Sequence, residues 1–175
     1  MTYQSGRGSV LGRLGVKDLV NGHHWRTILG GSIMPPEVVD AMAESAGRFL
    51  DLGDLNVKAG EYVARITGAD RGMVTSGCAA AQVLQAAACM TGTDESKIAS
   101  LPDTTSMKNE IVIQQSQRNH YDSSYQHAGA TLVEIGAEGG ATRAELEAAI
   151  GDNTAAVAYV WVMRYWGLSL EEVIE

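Results

Sequence analysis

The stretch Thr75-Ser76-Gly77-Cys78-Ala79-Ala80-Ala81 constrains this chain more than any other. It lies between the short apolar run Gly72-Met73-Val74 and an apolar segment from Gln82 to Met90. A strand that ends in a small hydroxyl–glycine turn and enters a helix directly gathers several free backbone N–H groups at one point. That point is the positive end of a helix and suits a phosphate. Glycine lets the backbone come close to a ligand, and the hydroxyls of Ser76 and Thr75 can add donors. Serine is also the ordinary helix cap, so a purely structural reading of Ser76 stands beside the ligand reading.

The patterning on either side predicts alternating strands and helices. Pro35-Pro36-Glu37 opens a helix, and Val38, Val39, Met42, Ala46, Phe49 and Leu50 recur on it at three-to-four spacing. A second helix over residues 59–67 stops at Gly68. Strands are expected at 72–75, 111–115, 131–135 and 155–163, the last a continuous valine-rich run of the kind buried on both faces. A helix over 79–90 follows the turn, and residues 121–128 form a short helix. Residues 91–109 are polar, contain Pro102 and read as a surface loop. Thr142-x-x-Glu145 is a capping box, and Ser169 caps a last helical turn that ends at Glu175. The fold class is therefore α/β, three-layered, with a mostly parallel sheet.

Composition narrows the function classes. The chain has 175 residues, enough for one domain with a core. No apolar run approaches membrane-spanning length, so no membrane partner is expected. Residues 1–15 contain glycine and arginine but no apolar h-region, so they read as a flexible arm rather than a secretory leader. Gly6-Arg7-Gly8 lacks both the spacing and the preceding strand of a dinucleotide fingerprint. Two cysteines, Cys78 and Cys89, make no disulfide framework, which points to a reducing cytoplasm. A net charge of −8 argues against a general nucleic-acid binder.

Several segments occur in one order: Gly30-Gly31-Ser32, Met34-Pro35-Pro36-Glu37-Val38, Thr67-Gly68-Ala69-Asp70, the Ser76 turn, and Gly129-Ala130-Thr131-Leu132-Val133-Glu134-Ile135-Gly136. From about Val20 onward this series resembles the large domain of fold type I pyridoxal-phosphate enzymes. Within them it is most similar to the selenocysteine-synthase-like group, the L-seryl-tRNA selenium transferases and their ammonia-lyase relatives. The resemblance implies pyridoxal 5′-phosphate as cofactor, its phosphate held by Ser76, Gly77, Cys78 and Ala79. It implies an amino-acid or amino-sugar-acid substrate, β-elimination as the first choice, and a selenium-transferase-like or aminotransferase-like reaction as the second. A homodimer or higher homo-oligomer follows from the same likeness. Residues 1–34 become an N-terminal arm and substrate-entrance segment, and 35–175 a partial cofactor-binding domain. Enzymes of this group are longer, and their Schiff-base lysine comes late in the sequence. The lysines here are Lys17, Lys58, Lys97 and Lys108, none in that context, so the chain reads as an N-terminal portion without activity of its own.

Other residues could carry chemistry. Arg118-Asn119-His120-Tyr121-Asp122 follows an expected strand, where α/β sheets place their ligands. His120, or failing it Tyr121, could stack on a cofactor ring; alternatively His120 and Asp122 only cap the next helix. Arg118 and, near the entrance, Arg26 or His24 are candidates for an acidic substrate group, with a surface role as the other reading of Arg118. Cys78 has the position of an activated thiol, but its neighbours favour a backbone role. His23, His24, His120 and His127 lack metal-ligand spacing, so no metal is expected. From a different class, a non-catalytic α/β module binding a phosphorylated metabolite remains the alternative.

Overall fold

Two compact units, Met1–Leu55 and Asn56–Glu175, are present in the computed structural model, which describes residues 9–175. The division falls in the first turn of a helix. Residues 1–8 of the expected arm lie outside the described residues.

The first unit holds a short helix α1 (Val10–Arg13), a 3-10 turn at Thr27–Leu29 and α2 (Pro36–Ala46). Pro36 occupies the first turn of α2, where its missing N–H costs nothing. None of the described residues of this unit is buried, and the apolar stripe Val38, Val39 and Met42 is about half exposed.

In the second unit three parallel strands stand in the order β2-β1-β3: β1 (Glu110–Gln114), β2 (Thr131–Ile135) and β3 (Thr154–Ala158). Ile111 pairs with Leu132 on one side and Ala156 on the other. Helix α3 (Leu52–Thr67) spans the division between the units, and the second unit also holds α4 (Cys78–Thr91), α5 (Glu95–Ser100), α6 (Ser123–His127), α7 (Arg143–Ala149) and α8 (Leu170–Ile174). Alternate residues of β1 serve opposite faces, as the two-residue period requires. Ile111 and Ile113 pack with Ala86 and Met90 of α4 and with Ala128, Ala130 and Ala158. Val112 points the other way, to Ile135, Leu146 of α7 and Leu168. Helices therefore cover both faces of the sheet, and the structure is α/β with a parallel sheet, as the alternating pattern implied.

Several expectations need correction. Residues 72–75 form no strand, because no ladder partner lies beside them among the described residues. The 155–163 run is a strand only to Ala158; Trp161–Met163 is a 3-10 turn, and β3 is half-buried because it pairs with β1 alone. The first strand is Glu110–Gln114, one residue earlier than read. The second helix starts at Leu52, not residue 59: the Asp51 carboxylate accepts from the N–H groups of Gly53 (2.8 Å) and Asp54 (3.1 Å), and two internal glycines hid this start. The polar loop 91–109 contains α5, capped by Asp94 through the N–H groups of Ser96 and Lys97. The Thr142–Glu145 and Ser169–Glu172 capping boxes form as read. Among the described residues no helix is long and apolar enough to cross a membrane.

Candidate functional site

The turn before α4 takes its geometry from glycine. Gly77 stands at the N-cap with φ 136° and ψ 174°, a region open essentially to glycine alone. No side chain caps α4. The plain-cap reading of Ser76 is thereby removed: its side chain is exposed and makes no hydrogen bond to the described residues. The Thr75 hydroxyl is already committed, donating to the Gly77 carbonyl at 3.0 Å. The first intrahelical bond runs from Ala81 N–H to the Gly77 carbonyl, so the preceding N–H groups of the first turn stay unused within the helix. Gly77, Cys78 and Ala79 are all exposed, and a side chain built at Gly77 would meet open space. Backbone donors, one free hydroxyl and the positive end of a 14-residue helix form a donor set that fits a phosphate.

The approach to this turn depends on a residue the sequence reading missed. Lacking a strand neighbour, Val74 has both its backbone groups engaged by one side chain. Asn56 Nδ2 donates to the Val74 carbonyl at 2.9 Å, and Asn56 Oδ1 accepts from the Val74 N–H at 3.4 Å. The amide thus stands in for a ladder partner two residues before Ser76. One helical turn further on, Gly60 lies against Gly72 so closely that a Cβ on either would overlap the other's backbone. An Asn four residues ahead of a glycine in one helix is a thin signal, and nothing local announces its partner.

At the C-terminal end of β1 the chain makes two 3-10 turns, Gln115–Gln117 and His120–Asp122. Asn119 and Asp122 form a reciprocal capping box, so Asp122 caps and His120 does not. His120 and Tyr121 are exposed, with ring centroids 3.9 Å apart and planes tilted 40°. Arg118 Nε donates to the buried Asp122 carboxylate at 2.5 Å, and its Nη1 donates to Glu134. Two carboxylates thus already neutralise Arg118, and the Asp122 hydrogen bond is the main cause that holds it protonated. Arg26 lies in the first unit, in an antiparallel bridge to Gly31, with Nη2 3.2 Å from His23 Nε2. His24 is the non-glycine residue with positive φ (49°) among those described. Of the four lysines, Lys58 pairs with Glu61 on α3, and Lys17 and Lys108 are exposed.

Gln114 and Gln117, both fully buried, reach from the end of β1 to the segment after β3. Gln117 Oε1 accepts from Val160 N–H at 2.8 Å, and Gln114 Oε1 accepts from Leu168 N–H at 2.7 Å. Polar residues at the end of a buried strand were not singled out from sequence. Their partners are 43 and 54 residues away.

No protein-family model matches the chain. It is 38% identical over 152 residues to D-glucosaminate-6-phosphate ammonia lyase of Salmonella typhimurium (strain 14028s), covering 85% of this chain and 41% of that protein. It is 32% identical over 170 residues to 5′-C-glycyluridine monooxygenase-decarboxylase of a Streptomyces species, covering 92% of this chain and 43% of that one. Among solved structures, that of D-glucosaminate-6-phosphate ammonia-lyase superposes with a TM-score of 0.82 at 36% identity, over 86% of this chain and 42% of that one. The chain therefore spans about two-fifths of the length of the relatives it matches.

Proposed function

We propose that this chain is the cofactor-phosphate-binding part of a pyridoxal-phosphate-dependent lyase acting on an amino acid or amino sugar acid. One observation carries the reading: the uncapped N-terminus of α4 behind Gly77, with its free N–H groups and the unpaired Ser76 hydroxyl. The similarity to an ammonia lyase of an amino sugar acid phosphate supports both the lyase class and the substrate class. When bound, the cofactor supplies an electron sink for bond cleavage at the amino-bearing carbon. The protein's part is to hold and orient. Ser76 and the N–H groups of Gly77, Cys78 and Ala79 grip the phosphate. The Asn56–Val74 clamp holds the turn in place. His120, with Tyr121 beside it, offers a flat face that shields a ring from water. Arg118, held by Asp122 and Glu134, steadies the His120 turn rather than binding substrate.

The second relative is named for a different reaction. Under this reading the segment holds the cofactor phosphate and does not itself choose the bond that breaks. Selenium-transferase-like chemistry on the same scaffold is the variant reading.

The test uses the chain as it stands. Pyridoxal phosphate is expected to bind weakly and reversibly, competed by inorganic phosphate, with Ser76→Ala reducing affinity by about 1 kcal/mol for one neutral donor. Borohydride treatment followed by peptide mass mapping is expected to leave Lys17, Lys58, Lys97 and Lys108 unmodified. A stoichiometric adduct on one of them would show that the chain carries its own anchoring amine. Unchanged affinity in both Ser76→Ala and Gly77→Val would remove the turn from the site.

A further inference from the structure

The segment after β3 carries an arginine whose surroundings differ from those of Arg118. The Arg164 guanidinium carbon lies 4.7 Å from the Trp161 ring centroid and 4.3 Å from that of Tyr165. Arg164 Nη1 donates to the Trp161 carbonyl at 3.0 Å, and Nη2 donates to the Tyr165 hydroxyl at 2.6 Å. No carboxylate pairs with it among the described residues, although the chain carries a net charge of −8. Two of the five guanidinium N–H groups are thus used by its own loop, and three remain.

The loop that presents this arginine is anchored by the end of β1 and the 3-10 turn that follows it. Gln117 holds Val160 and Gln114 holds Leu168, while the Ser116 hydroxyl donates to the Trp166 carbonyl at 3.1 Å. Gly167, with φ 93°, packs so tightly on the Gln114 amide that a Cβ there would overlap it. Trp161 and Tyr165 lie against the guanidinium while three of its N–H groups stay open, and a guanidinium edge matches a planar carboxylate bidentately. The loop follows β3 as the His120 turn follows β1. Both therefore lie at the C-terminal end of adjacent parallel strands, where sheets of this kind receive ligands.

We propose that Arg164, clamped by Trp161 and Tyr165, is the group that recognises the substrate's carboxylate. The assignment rests on the amino-acid or amino-sugar-acid reading above and adds the residue that selects the acid. The ring contacts and its two hydrogen bonds hold the guanidinium before the ligand arrives, so less side-chain entropy is lost on binding.

The experiment titrates the purified chain with sodium D-gluconate, D-glucitol and inorganic phosphate, by calorimetry and by tryptophan fluorescence. Saturable gluconate binding is expected, weakened about tenfold or more in Arg164→Gln and less in Arg164→Lys, which keeps charge but not the planar fork. Glucitol, lacking the carboxylate, should not bind. Phosphate affinity and the thermal midpoint should be the same in Arg164→Gln as in the parent chain. Ser76→Ala should weaken phosphate and leave gluconate untouched, so failure at the phosphate turn and failure at Arg164 are told apart. Equal gluconate affinity in Arg164→Gln, no gluconate binding by the parent, or glucitol binding as tightly as gluconate would each overturn the proposal. So would self-association that Arg164→Gln abolishes in the absence of any gluconate binding, since the stack would then be a protein interface.

Discussion

Gly77 and Ser76 are neighbours with separable roles. A Cβ at Gly77 would meet open space, so Gly77→Val acts chiefly through the backbone. At φ 136° that strain costs about 1–3 kcal/mol, read as a lowered thermal midpoint. Ser76→Ala, which breaks no cap, should leave stability within about 0.5 kcal/mol while weakening phosphate. Stability loss of the same size in both would mean that Ser76 supports the helix after all. Arg118 allows a second comparison. Its Asp122 partner has a side chain only 4% exposed and also closes the Asn119 capping box, whereas Glu134 is 48% exposed. Asp122→Ala should cost about 1–3 kcal/mol and loosen the His120 turn. Glu134→Gln should cost less than about 1 kcal/mol, because solvent screens that pair. Urea unfolding of the two variants decides the order.

Elements are held here by single polar side chains as much as by packing. Asn56→Ala leaves the Val74 N–H and carbonyl without their partner and should cost about 0.5–1.5 kcal/mol. If the clamp sets the turn, phosphate affinity falls in the same variant although Asn56 touches no phosphate. Full retention of phosphate affinity would confine Asn56 to stability. The capping boxes make a pH-dependent contribution. Glu145 is held below the ordinary glutamate value chiefly by the Thr142 N–H, and Glu172 by the Ser169 N–H. A carboxyl whose folded pKa is depressed stabilises fully above its unfolded value and loses that contribution as pH falls through the folded one. Melting temperature should therefore drop on acidification below about pH 5, and the Glu145→Gln, Glu172→Gln double variant should show a shallower drop.

At the scale of the whole molecule, burial is uneven. Val112 and Ile113 of β1 are fully buried, whereas the first unit has no buried residue among those described. Local opening is easiest where few apolar contacts oppose it. Hydrogen exchange should therefore protect the β1 amides most strongly and those of α2 least. Equal protection of α2 and β1 would show that the exposed stripe Val38, Val39 and Met42 is covered in solution. Trp161, Tyr165 and Trp166 are all more than half exposed.

What could be read from the chain alone was what short-range chemistry determines. Thr131–Ile135 was legible as a strand from its β-branched alternation, α4 from its alanine run, and the Thr142 and Ser169 boxes from residues three apart. In each case the partners lie within a few positions, so spacing encodes the contact. The glycine turn was legible for the same reason, since a φ that only glycine adopts leaves a mark in the sequence. Tertiary structure alone decided the rest. Whether residues 72–75 count as a strand depends on a neighbour, and the neighbour they found was the Asn56 side chain. The 155–163 run looked uniformly strand-like, yet pairing with β1 ends at Ala158, and buried Gln117 then takes the Val160 N–H. Arg118 and Arg164 are equally basic in sequence. Two carboxylates occupy one and two aromatic rings clamp the other, because charge and stacking are settled by what folding brings alongside.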